Sequence, residues 1–338
     1  MTATVRAWPP GAATGLGSLP GTDPREAVRL VLGEVPDLPY LPELPDRGAG
    51  AELIGRGASV LADLAVEIQP SGWRITARPG RDLRRARDLL ARDLDAVEEL
   101  GATRSGAFKI ALAGPWTLAA GIELPSGHRV LSDHGATRDL AQALTEGLRT
   151  LLADLTARLP AATIVVQLDE PTLPAVLAGH IPTASGYGTL RTVAATTVEQ
   201  TLADVLAVVP AGRRVVHCCA PGVPVPLLQR AGADAVALDA ALLTSRHYDD
   251  LGEAVQAGLS LWLGVVPGTD ADISLDATRA RVTQLWSALG FPADQLASTV
   301  VLTPACGLAG ASPGYVRRAM KVLRETAQAL HEGADEPE

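Results

Sequence analysis

Residues 213–222 read RRVVHCCAPG. Two arginines lead into an apolar run that delivers a histidine and two cysteines, then stops at a Pro-Gly turn. A β-rich run of this length bounded by turn residues reads as a strand, Arg213–Cys219. Similar runs recur along the chain, separated by longer segments of helical period. They are ATGLGSL ending at Leu19, DLPYLPEL ending at Leu44, AFKIALAG (Ala107–Gly114), ATIVVQLD (Ala162–Asp169), DAVALD (Asp234–Asp239), SLWLGVV (Ser260–Val266) and STVVLTPAC (Ser298–Cys306), which makes eight in all. Helical period marks Asp82–Leu100, Arg138–Leu159 and Ser274–Gly290, and a closing helix opens with Ser312 as N-cap and Pro313 in its first turn. Strands alternating with helices predict an α/β fold with a parallel sheet, and eight such units predict a single (β/α)8 TIM barrel. VEIQPSGWRITARPG (Val66–Gly80) predicts a β-hairpin inserted after the second strand. The expected division is an N-terminal extension over 1–14, the barrel over 15–330 and an acidic tail over 331–338.

Hydrophobic residues make up 47% of the 338 and charged residues 20%, which suits a large buried core and argues against a disordered chain. The formal net charge of -9 and the pI near 5.2 lack the basic surface that phosphate backbones and anionic membranes attract. Nucleic acid and membrane are therefore not expected partners, and a small molecule is. The N-terminus has no apolar core behind a basic start, and no apolar run approaches membrane-spanning length, so the expected location is cytoplasmic. The chain has three cysteines. In a reducing compartment they point to a metal site or a reactive thiol rather than a disulfide, with plain core packing as the alternative.

In a TIM barrel the active site is built at the C-terminal ends of the strands, where the unusual polar residues of these strands fall. Those ends carry Ser18, Glu43, Asp169 with Glu170, His217 with Cys219, Asp239, and Cys306. Side chains alternate along a strand, so His217 and Cys219 project to one side and Cys218 to the other. Thiolates and imidazole, with a carboxylate, are a ligand set that zinc prefers. The candidates are His217, Cys219 and Cys306, with Asp239 as a fourth. A His-X-Cys pair taken alone is more often simply buried than a metal site; three candidate ligands at one rim weigh against that. QLDEP also reads two ways. It is either a capped strand end, with Asp169 holding the turn and Pro171 opening a helix, or a pair of binding or catalytic carboxylates. His128, His134, His180, His247 and His331 are read as solvated, and the Arg/Asp run of Asp82–Leu100 as the solvent face of a helix.

Taken together, these segments resemble the catalytic half of cobalamin-independent methionine synthase, in the superfamily shared with uroporphyrinogen decarboxylase. GLGSLPGT (15–22) is similar to the family's Ile-Gly-Ser-Phe-Pro-Gln-Thr, and QLDEPTL (167–173) to its Gln-Ile-Asp-Glu-Pro-Ala-Leu. HCC (217–219) is similar to its His-X-Cys, and LTPACGLAG (302–310) to its Asn-Pro-Asp-Cys-Gly-Leu. The resemblance implies zinc held by His217, Cys219 and Cys306, and homocysteine held through Ser18, Glu43 and Asp169. It makes Trp116, in LAGPWTL, a stacking residue for a pterin. The implied activity is that of a methyltransferase of methionine biosynthesis, moving a methyl group from methyl-tetrahydrofolate to the thiol of homocysteine. A free thiol titrates near pH ~8.5 and attacks as the thiolate, so metal coordination supplies the ionised sulfur.

Three features depart from the family. Asp239 stands where the family has a glutamate ligand. The family's histidine in the loop after the seventh strand, thought to donate a proton, has no counterpart in GVVPGTDADIS (264–274). That leaves Asp270 or Asp272 as the catalytic acid, or a methyl donor whose leaving group needs no proton, such as a methyl-corrinoid on a partner protein. The large N-terminal half of the two-barrel members is expected to be missing, since Gly15 already begins the catalytic barrel. Two other functions compete: a uroporphyrinogen decarboxylase-like enzyme, which would need an arginine-rich mouth and no metal, and a non-catalytic barrel that sequesters metal or thiol.

Overall fold

The computed structural model describes residues 5–333. A hairpin of β1 (Ala65–Gln69) and β2 (Gly72–Thr76) stands apart from the main sheet. That sheet holds six strands in chain order: β3 (Gly106–Ala113), β4 (Ala162–Asp169), β5 (Arg214–Cys218), β6 (Ala235–Asp239), β7 (Ser260–Val266) and β8 (Val300–Pro304). All its neighbours pair in parallel. Helices precede, connect and follow these strands, including Arg81–Gly101, His134–Arg158, Leu275–Ala288 and Pro313–Glu332, close to the spans expected from the sequence. Ser312 caps the last of these, its hydroxyl accepting from Tyr315 N at 3.3 Å.

The first two expected strands do not form ladders. Their residues make single parallel bridges instead: Ala13 with Leu302 of β8, Ser18 with Glu43, and Tyr40 with Lys109 of β3. Leu41 N donates to Lys109 O and Lys109 N to Pro39 O, each at 2.8 Å, while Thr14 N donates to Leu302 O at 3.0 Å. The backbone bonds thus run from β8 through these two segments to β3. Local chemistry explains why they stay short: Pro39 and Pro42 have no N–H to give, and Gly17 turns at φ +130.

Period-two alternation divides the strands' side chains into two layers. Phe108, Ile110, Val166, Leu168, Val216 and Leu263 belong to the large cluster shared with the helices. Ala107, Val165, Val215, Ala237, Trp262 and Val301 form a smaller cluster with Trp8 and Leu16. Residues 6–11 cross the N-terminal ends of the strands: Ala7 N donates to Gly212 O and Gly11 N to Ala297 O, both at 2.9 Å. Trp8 meets Trp262 edge-on at 5.2 Å. That end is plugged, which leaves the C-terminal ends for a site. No helix among the described residues is long and apolar enough to cross a membrane. The last helix still includes His331 and Glu332, while 334–338 of the expected acidic tail lie outside the described residues.

Candidate active site

β4 and β5 pair in a register that sets Asp169 beside His217. Asp169 Oδ1 accepts from Gln167 Nε2 at 2.7 Å and lies 2.8 Å from His217 Nδ1. A carboxylate can only accept, so Nδ1 carries a hydrogen, and in the neutral form of the ring the lone pair is then on Nε2. That Nε2 is buried and has no partner. Cys219 follows the end of β5, and its Sγ lies 3.0 Å from Sγ of Cys306, just past β8. One ligand atom from each of His217, Cys219 and Cys306 falls within 4.8 Å of the others. An unpartnered imidazole nitrogen facing two thiols, with the other nitrogen held by a carboxylate, is a donor set that fits a borderline-soft divalent metal.

The thiols divide one proton unequally. The hydrogen bond from Cys219 pulls the Cys306 thiol down to about 6, helped by His217 and the Gly307 N–H against burial. The same bond, with burial, pushes Cys219 far up. Cys218 points the other way and is buried, which raises its thiol to about 12. A Cβ on Gly307 would lie 2.0 Å from Ser18 Oγ, so a side chain there would displace the Ser18 hydroxyl from its place against the turn after β8.

A cavity of about 250 Å³ opens over these groups, lined by Ser18, Glu43, Asp169, His217, Cys219 and Cys306. Glu43 is buried with its carboxylate 3.7 Å from Arg56, whose guanidinium donates to Asp93 at 2.5 Å. Arg47 holds Asp93 bidentately, at 2.7 and 2.8 Å. Burial pushes the Glu43 carboxyl up to about 7; Asp169 adds to the rise, and Arg56 and Lys109 oppose it.

Five residues singled out from the sequence sit elsewhere. Glu170 is buried beneath the helix Pro115–Gly121, its carboxylate accepting from Trp116 N, Thr117 N and Thr117 Oγ1 at 2.9, 2.8 and 2.7 Å. Burial raises its carboxyl to about 7 against those three bonds. Trp116, on that helix, is 1% exposed and does not line the cavity. Asp239 accepts from Ala241 N at 2.8 Å and lines a neighbouring cavity of about 420 Å³ that shares Cys306 and Gly307 with the first. Its carboxylate is outside the His/Cys group. Asp270 accepts from Ser312 N and Oγ at 2.9 and 2.6 Å, which bolts its loop to the last helix and holds its carboxyl below the ordinary value. Asp272 is exposed on the same loop.

Sequence reasoning passed over Lys109, Gln167, Arg56 and Asp93. For the first two a signal existed. Lys109 is the lone charge in AFKIALAG, and Gln167, two residues before Asp169, shares its face. Arg56 carries no such mark, and Asp93, in the Arg/Asp run read as a solvent face, is instead buried against Arg47 and Arg56, because nothing in one helix announces its ion partner in another.

A parallel α/β sheet with imidazole and thiols converging at its C-terminal edge defines an enzyme scaffold with a candidate metal centre. Residues 11–329 match the family described as Cobalamin-independent synthase, Catalytic domain, and the chain belongs to this family of methionine synthase catalytic domains, which are methyltransferases. Among solved structures it is similar to a B12-independent methionine synthase from Shewanella sp. in complex with selenomethionine. That likeness has a TM-score of 0.58 and 13% identity over 96% of this chain and 98% of that one. It is also similar to GH5_18 from Streptomyces cattleya in complex with GlcNAc, with a TM-score of 0.48 and 17% identity over 98% and 82% of the two chains. A mutant tryptophan synthase alpha-subunit from Pyrococcus furiosus follows at 0.40 and 13%, over 96% and 98%. Comparison with curated proteins finds no match. At 13% identity and a TM-score of 0.58, the likeness to the Shewanella synthase speaks for the fold alone.

Proposed function

We propose that this chain is a zinc-dependent methyltransferase that methylates the thiol of homocysteine to give methionine, on a closed (β/α)8 barrel and in the cytoplasm. The observation that carries the reading is the buried, unpartnered His217 Nε2 beside the thiols of Cys219 and Cys306, at the wall of a cavity shared with Ser18, Glu43 and Asp169. His217, Cys219 and Cys306 would hold the zinc, with Asp239 left to its capping bond. Bound there, the metal would ionise the substrate thiol and hold it as an additional ligand, three protein ligands with an open position being the pattern of catalytic zinc.

The chain's own residues supply the rest. Asp169 holds His217 by its Nδ1 hydrogen, and it and Glu43 give the cavity carboxylates for the substrate ammonium. Ser18, packed against Gly307, closes one wall. In the Shewanella synthase the bound selenomethionine is a product analogue, which supports an amino-acid thiol as acceptor here.

The family makes methyl-tetrahydrofolate the donor. A second reading, a methyl-corrinoid carried by a partner protein, is favoured by two observations: Trp116 is too buried to stack on a pterin, and Asp270 has both oxygens engaged and so is poorly suited to give a proton to a leaving amine. The neighbouring cavity, lined by Asp239 and the loop after β7, also reaches Cys306 and is where a donor would approach the acceptor sulfur. Purified protein with zinc and homocysteine, assayed for methionine with methyl-tetrahydrofolate or with a methyl-corrinoid, tests both. Turnover with the folate supports the family's donor, turnover with the corrinoid alone supports the second reading, and turnover with neither refutes the methyltransferase.

A further inference from the structure

The strands that carry the site also carry a buried ammonium that the chemistry above does not use. Lys109, in the middle of β3, has 0% exposure, and its Nζ donates to Gln167 Oε1 at 2.7 Å, 5.0 Å from the centre of the Tyr40 ring. Burial draws its pKa down to about 8, while Asp169 and Glu43 hold it up, so it stays charged at neutral pH. A buried charge is costly, and an apolar side chain of the same length would fill the space at less cost. The charge therefore calls for an explanation in its surroundings.

The hydrogen bonds supply one. An ammonium only donates, so it must face the oxygen of the Gln167 amide and not its nitrogen. The amide nitrogen is thereby turned toward Leu16 O at 2.9 Å and Asp169 Oδ1 at 2.7 Å. Asp169 Oδ1 takes a second hydrogen from His217 Nδ1 at 2.8 Å. Each link has only one sense. With the amide reversed, Gln167 would set an oxygen against the Asp169 carboxylate, and that carboxylate would be driven off its contact with the imidazole.

We propose that Lys109 is a positioning residue for the metal centre: by fixing which end of the Gln167 amide faces Asp169, it fixes His217 as the Nδ1–H tautomer with Nε2 free to ligate. The inference rests on the metal-site reading of His217, Cys219 and Cys306, and extends it to a residue that touches neither ligand nor substrate. Partners behind a ligating histidine commonly carry ~10- to 100-fold of the metal affinity.

The test uses the full chain with 15N-labelled histidine, first free of metal. At a pH where the ring is neutral, wild-type His217 should show the shift pattern of a protonated Nδ1 and a bare Nε2. Lys109→Met, which keeps the length and loses the donor, should give a mixture of tautomers. Its zinc affinity, measured by competition with a chromophoric chelator, should fall about tenfold, with the thermal melt reporting that the fold is kept. Lys109→Gln, polar and able to present either end of its amide, serves if the Met variant does not fold, and should give the same mixing. A folded variant with unchanged His217 shifts and unchanged zinc affinity overturns the proposal. If wild-type protein binds no zinc, the metal-site reading fails, while the tautomer comparison still decides on Lys109.

Discussion

Asp169→Asn separates the two tasks of the carboxylate at the centre of the site. Oδ1 serves two donors, Gln167 Nε2 and His217 Nδ1, so an asparagine must turn its oxygen to that position and its NH2 toward the cavity. His217 then keeps an acceptor but loses a charged one. Hydrogen bonds to charged groups contribute ~1.5–3 kcal/mol and neutral ones ~0.5–1.5, so the substitution costs the metal site about 1–1.5 kcal/mol, roughly tenfold in zinc affinity. The substrate should suffer more. An ammonium that met a carboxylate now meets an amide NH2, and losing one partner of a buried charge pair costs ~2–5 kcal/mol, at least about thirtyfold in homocysteine affinity. Chelator competition reads the first number, and calorimetry on the zinc-loaded variant reads the second. Unchanged affinity for both zinc and homocysteine would refute the whole account of Asp169. Loss of zinc affinity alone would remove it from the substrate site but keep it behind His217.

Cys219→Ser and Cys306→Ser should each abolish zinc binding in elemental analysis, whereas Cys218→Ser should retain the metal and lower stability by about 1–3 kcal/mol in denaturant melts, because it buries a hydroxyl among apolar side chains. Burial sets the Glu43 carboxyl near 7, above its ordinary value, so it is neutral on the acid side. The KM for homocysteine should therefore fall as pH rises through about 7, and that step should vanish in Glu43→Gln. The sign for stability is opposite: a raised carboxyl favours the folded state fully below its unfolded pKa, and that advantage is lost as pH rises through the folded value. Glu43→Gln should flatten that decline in melts run from pH ~4 to ~8. Glu170→Ala should leave zinc affinity intact yet cost at least about 2 kcal/mol in stability, since three buried donors on Trp116 and Thr117 lose their acceptor.

The parts of this fold that were legible in the sequence are those where one local rule decides. ATIVVQLD and SLWLGVV carry the apolar runs Ile164–Val166 and Leu261–Val266 because both faces of a parallel strand are covered, and Ser312-Pro313 announces a helix start whatever surrounds it. ATGLGSL and DLPYLPEL were harder, because their glycines and prolines sit among apolar residues. They reduce each segment to single bridges, although the residues they deliver, Ser18 and Glu43, still meet. At the site, strand parity was enough to bring His217 and Cys219 onto one cavity. It could not tell Glu170 from Asp169, since which of two adjacent carboxylates faces inward depends on where a strand ends. The family resemblance made Trp116 a stacking residue, whereas Gly114-Pro115 starts a helix that buries it.

The inner face of the sheet also explains why the unpartnered nitrogen stands where it does. Trp8, Trp262, Val165 and Val301 fill the N-terminal end with apolar volume, and next to them the alanines at 107, 235 and 237 leave space that larger residues would occupy. Into that space rises a polar column, Lys109 to Gln167 to Asp169 to His217, which the apolar neighbours cannot solvate. Such a column is tolerated only if each member satisfies the next, because an unsatisfied buried polar atom costs ~1–3 kcal/mol. Each link from Lys109 to His217 pairs a donor with an acceptor, and the column ends at His217 Nε2, where it reaches the cavity beside two thiols. At that end the missing partner is a lone pair on the wall of a cavity, where a ligand can enter. An acceptor that nothing in the chain satisfies is suited to a metal ion, and the same interior packing that makes the column costly also keeps it aimed.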